Sequence, residues 1–189
     1  MALFTILTVA TEIASNEKAM EGLSQFAKKG SNAIKNFLKD EDDLPELTEK
    51  DLDIIFEFTE MISSLLGQGA KVNQHLSIDK MKVVSEIIDE LCLSKNGYMQ
   101  EPLLNYLGLS VEKFEENIAQ RIKNPFTIKK ITRYVAKYEL EDEFYSYLCR
   151  VMMSDNIVTV DEQEFLDTIS DSFGINKFDK RALETSFKE

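Results

Sequence analysis

Residues 144–175 constrain this chain more than any other stretch, because they read as two amphipathic helices joined by a short acidic turn. In the first helix Phe144, Leu148, Val151 and Met152 recur at three- and four-residue steps and form one apolar stripe. In the second, Phe165, Leu166, Ile169 and Phe173 do the same, and Gly174 ends it as a residue free to adopt positive φ. Neither stripe can be satisfied in water, so both must pack on further helices. The turn is Ser154-Asp155-Asn156-Ile157-Val158. Thr159-Val160-Asp161-Glu162 then forms a capping box: the Thr159 hydroxyl accepts from the Glu162 N–H, and the Glu162 carboxylate accepts from the Thr159 N–H. Asp155 follows a helix C-terminus, where the dipole disfavours a carboxylate. A turn, the next helix N-terminus or a bound cation must account for it.

Elsewhere the same periodicity holds, and the composition, with 7 Gly and 3 Pro in 189 residues, favours helices over a turn-rich β fold. Thr48-Glu49-Lys50-Asp51 opens a helix with Leu52, Ile55, Phe56, Met61, Ile62, Leu65 and Leu66 toward the core, ending at Gly67-Gln68-Gly69. A second runs from Ser77 with Met81, Val84, Ile87, Ile88 and Leu91, and Lys95-Asn96-Gly97 turns the chain. Short helices follow at 102–107 and at 111–122, the latter capped by Ser110; Asn124-Pro125 breaks the chain. Residues 127–138 form a basic helix (Lys129, Lys130, Arg133, Lys137) facing the acids Glu139, Glu141, Asp142 and Glu143, charges that read as solvated faces and surface pairs. A last helix starts at Asn176 and carries Phe178, Leu183 and Phe187. The fold class is all-α.

The N-terminal part is different in kind. Leu3, Ile6, Leu7, Ile13, Leu23, Phe26, Ile34, Phe37 and Leu38 fall at helical spacing, with Lys28, Lys35 and Lys39 on the opposite face. This predicts one or two amphipathic helices. Asp40-Glu41-Asp42-Asp43-Leu44-Pro45 is a self-repelling linker. Two units follow: 1–45, an amphipathic segment with its linker, and 46–189, an all-helical domain.

The pattern Asp155-Asn156-x-Val158-Thr159-x-x-Glu162, followed by Leu166 and set between two apolar helices, resembles the TerB-like (tellurite-resistance protein B) helical domain family over about residues 125–187, and less closely over 47–124. Asn156 stands where the family has Gly. A weak internal repeat accompanies it: Asn73 aligns with Asp155 and Lys80 with Glu162, while Ile62, Leu66, Val84 and Ile87 align with Phe144, Leu148, Leu166 and Ile169. The resemblance implies a TerB-like bundle of two pseudo-symmetric helical hairpin repeats. It also implies a non-enzymatic cytoplasmic adaptor of the tellurite and stress-resistance class, peripheral to membranes in some settings. Family acids at these positions are linked to cation binding, which makes Asp155, Asp161 and Glu162 the candidate metal ligands. The alternative function is a regulatory module responsive to Ca²⁺ or Mg²⁺, whose oxygen-ligand chemistry these carboxylates suit. Asn73 and Lys80 remove two carboxylates and add an ammonium, so the expected cation binding is weak, and Lys80 is expected to neutralise Asp155 or Glu162. An EF-hand fails, because Ile157, Val160 and Leu166 fill positions where a loop starting at Asp155 needs an oxygen ligand, Gly and Glu.

Nothing points to a reaction. His75 is the only histidine and has no nucleophile pattern near it, and phosphate-loop, dinucleotide and zinc spacings are missing. Cys92 and Cys149 fall on apolar helical faces and read as buried thiols of a reducing cytoplasm. No cofactor is expected. The net charge is −12, and residues 1–39, with five Lys and three Glu, carry +2, so the remainder carries −14. An acidic body argues against nucleic acid and suits a protein partner, including a second copy engaged through residues 1–39. A membrane surface is the secondary partner for the basic segment.

Overall fold

A computed structural model describes residues 48–72, 78–94, 100–155 and 157–187. The expected N-terminal helices and acidic linker, His75, the turn at 95–97, and Asn73 and Asn156 of the motif lie outside the described residues. Among those described there are eight α-helices and no strand: α1 (Glu49–Ala70), α2 (Ile78–Ile88), α3 (Gln100–Leu107), α4 (Val111–Lys123), α5 (Ile128–Tyr138), α6 (Glu141–Met152), α7 (Val160–Phe173) and α8 (Lys177–Thr185). A π-helical turn, Asp89–Ser94, extends α2 and carries the buried Leu91.

The caps follow the sequence signals. Thr48, Ser110, Thr127, Thr159 and Asn176 each accept a backbone N–H at the start of a helix. Gly174, at φ 73°, ends α7 with the Ile175 N–H donating to the Ser170 carbonyl at 3.0 Å. Glu139 takes the same left-handed conformation, φ 54°, to end α5, although a side chain disfavours it.

α1 and α6 form the centre. From Met61 to Gly67 every residue of α1 is buried, so this half of the helix is enclosed on all sides. Phe58 of α1 and Phe144 of α6 meet edge to face, 5.6 Å between ring centroids. α3, α4 and α5 pack on α1; α2, α7 and α8 pack on α6. Ser64 and Gln68 hold the loop before α5: the Phe126 N–H donates to Ser64 Oγ at 3.2 Å, and Gln68 Nε2 donates to the Phe126 carbonyl at 2.9 Å.

The expected end of α1 needs correction. α1 does not stop at Gly67-Gln68-Gly69 but runs through them to Ala70. The glycines serve packing: a Cβ on Gly67 would enter the Ile122 backbone of α4, and one on Gly69 would lie 2.6 Å from Leu148 Cδ1 of α6. Without a Cβ at either position, α4 and α6 can approach α1 closely while the helix continues. Phe56 packs half-buried against the core, as its place on the stripe indicates, and Phe58, which the stripe omits, is the deeply buried phenylalanine of α1. Phe178 is 82% exposed at the first turn of α8, because α8 meets the bundle mainly through Leu183.

Candidate functional site

The turn between α6 and α7 and the first turn of α2 come together around one ammonium group. Thr159 caps α7, and its hydroxyl accepts from the Glu162 N–H at 3.3 Å. Glu162 Oε2 accepts in return from the Thr159 N–H at 2.9 Å. The capping box thus fixes the Glu162 carboxylate in a buried position, with a side chain 2% exposed. Its second oxygen, Oε1, is left facing α2, where it accepts from Lys80 Nζ. Lys80 is also buried, with a side chain 6% exposed.

Asp155 completes the cluster from the turn. Its Oδ1 accepts from the Ile157 N–H at 3.2 Å, an Asx-type turn, and its Oδ2 lies 3.6 Å from Lys80 Nζ. One ammonium therefore faces two carboxylates held by backbone donors. In a buried setting this pairing is what makes either charge tolerable.

Asp161 sits elsewhere. It is exposed and lines a shallow groove with Lys71, Glu164 and Phe165, between the end of α1 and α7. So two of the three candidate ligands, Asp155 and Glu162, converge, and the third does not. Among the described residues no group of three or more His, Cys, Asp or Glu side chains is close enough together to hold a metal ion.

Other polar tethers join the helices. Arg150 of α6 donates to Glu90 Oε2 at 2.8 Å and lies 3.9 Å from Glu86, tying α6 to the end of α2 and its π-helical turn. Tyr145 donates to Glu184 Oε1 at 2.7 Å, and burial pushes its phenol pKa well up. Arg121 of α4 pairs with Glu60 of α1 at 2.7 Å. The sequence reading passed over these. An arginine next to the apolar stripe of α6 was the available signal for the first. Cys149 is buried, as its place on the stripe indicates.

α5 presents the expected solvated basic face, but the expected surface pairs with the acids after it are not formed among the described residues. Lys129, Lys130, Arg133 and Lys137 are exposed, and none makes an ion pair among the described residues. The reversal at Glu139 is the cause: Glu141, Asp142 and Glu143 form the first turn of α6, and Glu143 is 2% exposed. Lys130 instead lies over the Phe126 ring, 3.2 Å from its centroid, with Arg121 also over that ring at 3.7 Å.

Compared with known proteins, the chain matches no family model, no curated protein and no solved structure. No helix of the described residues is long and apolar enough to cross a membrane.

Proposed function

We propose that the chain is a TerB-like, non-enzymatic interaction module that acts as a cytoplasmic adaptor in tellurite or stress resistance. The observation that carries this reading is the Lys80 ammonium between Asp155 and Glu162. The Asp and Glu of the motif are engaged by a side chain of the protein itself, which supports a structural latch between two hairpins over a catalytic or switching role. The pair also supports the pseudo-twofold arrangement of hairpins, since Lys80 meets the residue with which it aligns in the internal repeat.

The second reading, a divalent-cation-responsive module, draws on the same cluster. Two carboxylates already share one positive charge, and displacement of Lys80 would leave oxygen ligands suited to a hard cation. Calorimetric titration with Ca²⁺ and Mg²⁺ separates the two. The adaptor reading expects weak heats or none. Sub-micromolar affinity in the unmodified chain would replace it with the cation-responsive one. Affinity capture from cells with the full chain, and with a chain beginning at residue 46, then tests the adaptor role. A partner retained only by the full chain assigns recognition to residues 1–45, and one retained by both assigns it to the bundle. Failure of both chains to retain any partner counts against an adaptor.

A further inference from the structure

The strongest charge feature left unexplained is α5. From residue 117 to residue 138 the chain carries six basic residues (Arg121, Lys123, Lys129, Lys130, Arg133, Lys137) and no acidic one, in a protein of net charge −12. The α5 cations occupy one face. Ile131, Tyr134 and Val135 are buried on the other side. Lys129, Arg133 and Lys137 follow at four-residue steps, a row about 12 Å long at 1.5 Å per residue, and Lys130 flanks it. Like charges at this spacing repel along a helix. Nothing on α5 offsets them, and no described carboxylate pairs with them. Such a row calls for an anionic partner.

The placement of α5 indicates which one. Phe126, just before α5, is held by Ser64 and Gln68 of α1, whereas the Tyr134 hydroxyl, two turns later, donates to the Ile54 carbonyl at 3.3 Å. α5 therefore runs antiparallel to α1, and its C-terminal end approaches the N-terminal end of α1. The Tyr138 phenol beside Lys137 raises its pKa, and the charge of Glu57 adds a smaller push in the same direction. The chain entering α1 at that end is the acidic stretch with Asp40, Glu41, Asp42, Asp43 and Glu46. Eight residues, 40–47, span up to about 26 Å when extended, at least twice the length of the row.

We propose that the acidic segment 40–46 docks on the basic row of α5, so that the chain covers its own cationic surface. Charge complementarity fits: five carboxylates meet Lys129, Lys130, Arg133 and Lys137. Tethering favours this occupant over an external anion of the same chemistry, because a short covalent link gives an effective concentration of about millimolar order. The contact is electrostatic and exposed, so salt weakens it.

The test is lysine reactivity in the full chain. Acetylation rates of Lys129, Lys130 and Lys137 are measured by mass spectrometry against Lys177, which is exposed and lies on α8. The native chain is compared with one carrying Asp40→Asn, Glu41→Gln, Asp42→Asn, Asp43→Asn and Glu46→Gln. These changes precede the described helices in sequence, and circular dichroism confirms that the helices are retained. In the native chain the three lysines should react several-fold more slowly, and the difference should vanish at about 1 M salt, where charges are screened within a few ångströms. Equal rates in the two chains overturn the proposal. So does tight binding of the native chain to phosphatidylserine vesicles that matches the neutralised chain and is lost on Lys129→Gln, Arg133→Gln and Lys137→Gln, because the row then faces lipid. Vesicle binding that appears only after the acids are neutralised supports the docked segment.

Discussion

Lys80 and Glu162 are 82 residues apart in sequence and meet as a buried ion pair between the first turns of α2 and α7. Removing one partner leaves the other charge buried and uncompensated, which costs roughly 3–5 kcal/mol. Lys80→Met and Glu162→Gln should each lower stability by about that much. The double substitution should cost clearly less than the sum, because it removes both charges together. Urea denaturation of the four proteins measures the coupling. Additive losses would mean that the pair is not a unit.

The ammonium also sets the response to divalent ions. Lys80→Glu replaces a cation between Asp155 and Glu162 with a third carboxylate, and like charges brought this close seek a counter-ion. The expected result is a destabilised protein that regains stability as Ca²⁺ is added, while the unmodified protein does not respond. A Ca²⁺-independent melting temperature in the Lys80→Glu protein would show that the cluster cannot be turned into a cation site.

The cap and the pair share Glu162, so the cap can be probed separately. Thr159→Ala removes the hydroxyl that accepts from the Glu162 N–H and should cost roughly 1 kcal/mol. Thr159→Ser keeps the oxygen and should lie within a few tenths of the native value. Matching denaturation midpoints for Thr159→Ala and the native protein would remove the cap from the account of α7.

Helix starts were legible in the sequence because capping is local: Thr48, Ser110, Thr127, Thr159 and Asn176 need only their next three residues. The role of Lys80 was legible too, because setting it against Glu162 placed an ammonium opposite a carboxylate. Gly67 and Gly69 misled because a glycine that stops a helix and one that admits a neighbouring backbone look alike without the neighbour. The surface pairs assigned to α5 failed for a related reason. Adjacency in sequence placed Glu141–Glu143 beside the lysines, whereas the reversal at Glu139 carries them into α6. Asp161 is next to Glu162 in the chain, yet neighbouring residues on a helix point about 100° apart, and only one of them can face α2.

The acid limb of stability should carry a signature of the α7–α8 contact. Lys180 Nζ and Gln163 Nε2 both donate to Asp167 Oδ1, and these bonds hold the Asp167 pKa below its ordinary 3.8. A carboxylate depressed in the folded state stabilises fully above its unfolded pKa and loses that contribution as pH falls through the folded value. Asp167→Asn should therefore reduce stability near neutrality and flatten the fall in stability below about pH 4. Side-chain NMR titration of Asp167 gives a direct check, and a midpoint at or above 3.8 would contradict it.

The two glycines of α1 give a test of packing in which the order matters more than the size. Replacing Gly by Ala in a helix gains roughly 0.5–1 kcal/mol from backbone entropy where there is room. Neither site has room, but the obstacles differ. At Gly67 the new methyl meets the backbone of Ile122, which can yield only if α4 moves away from α1 and strains the Arg121–Glu60 pair beside it. At Gly69 it meets Leu148 Cδ1 and, at 3.0 Å, Met152 Cε, the ends of side chains that can rotate. Overpacking costs typically about 1–3 kcal/mol, toward the upper end where backbone must move. Gly67→Ala should thus be net destabilising by about 1–2 kcal/mol, and Gly69→Ala should fall within about 1 kcal/mol of the native protein. Thermal unfolding of the two single variants decides it: a Gly69→Ala protein less stable than Gly67→Ala would mean that the α1–α6 crossing, not the α1–α4 crossing, is the tighter of the two.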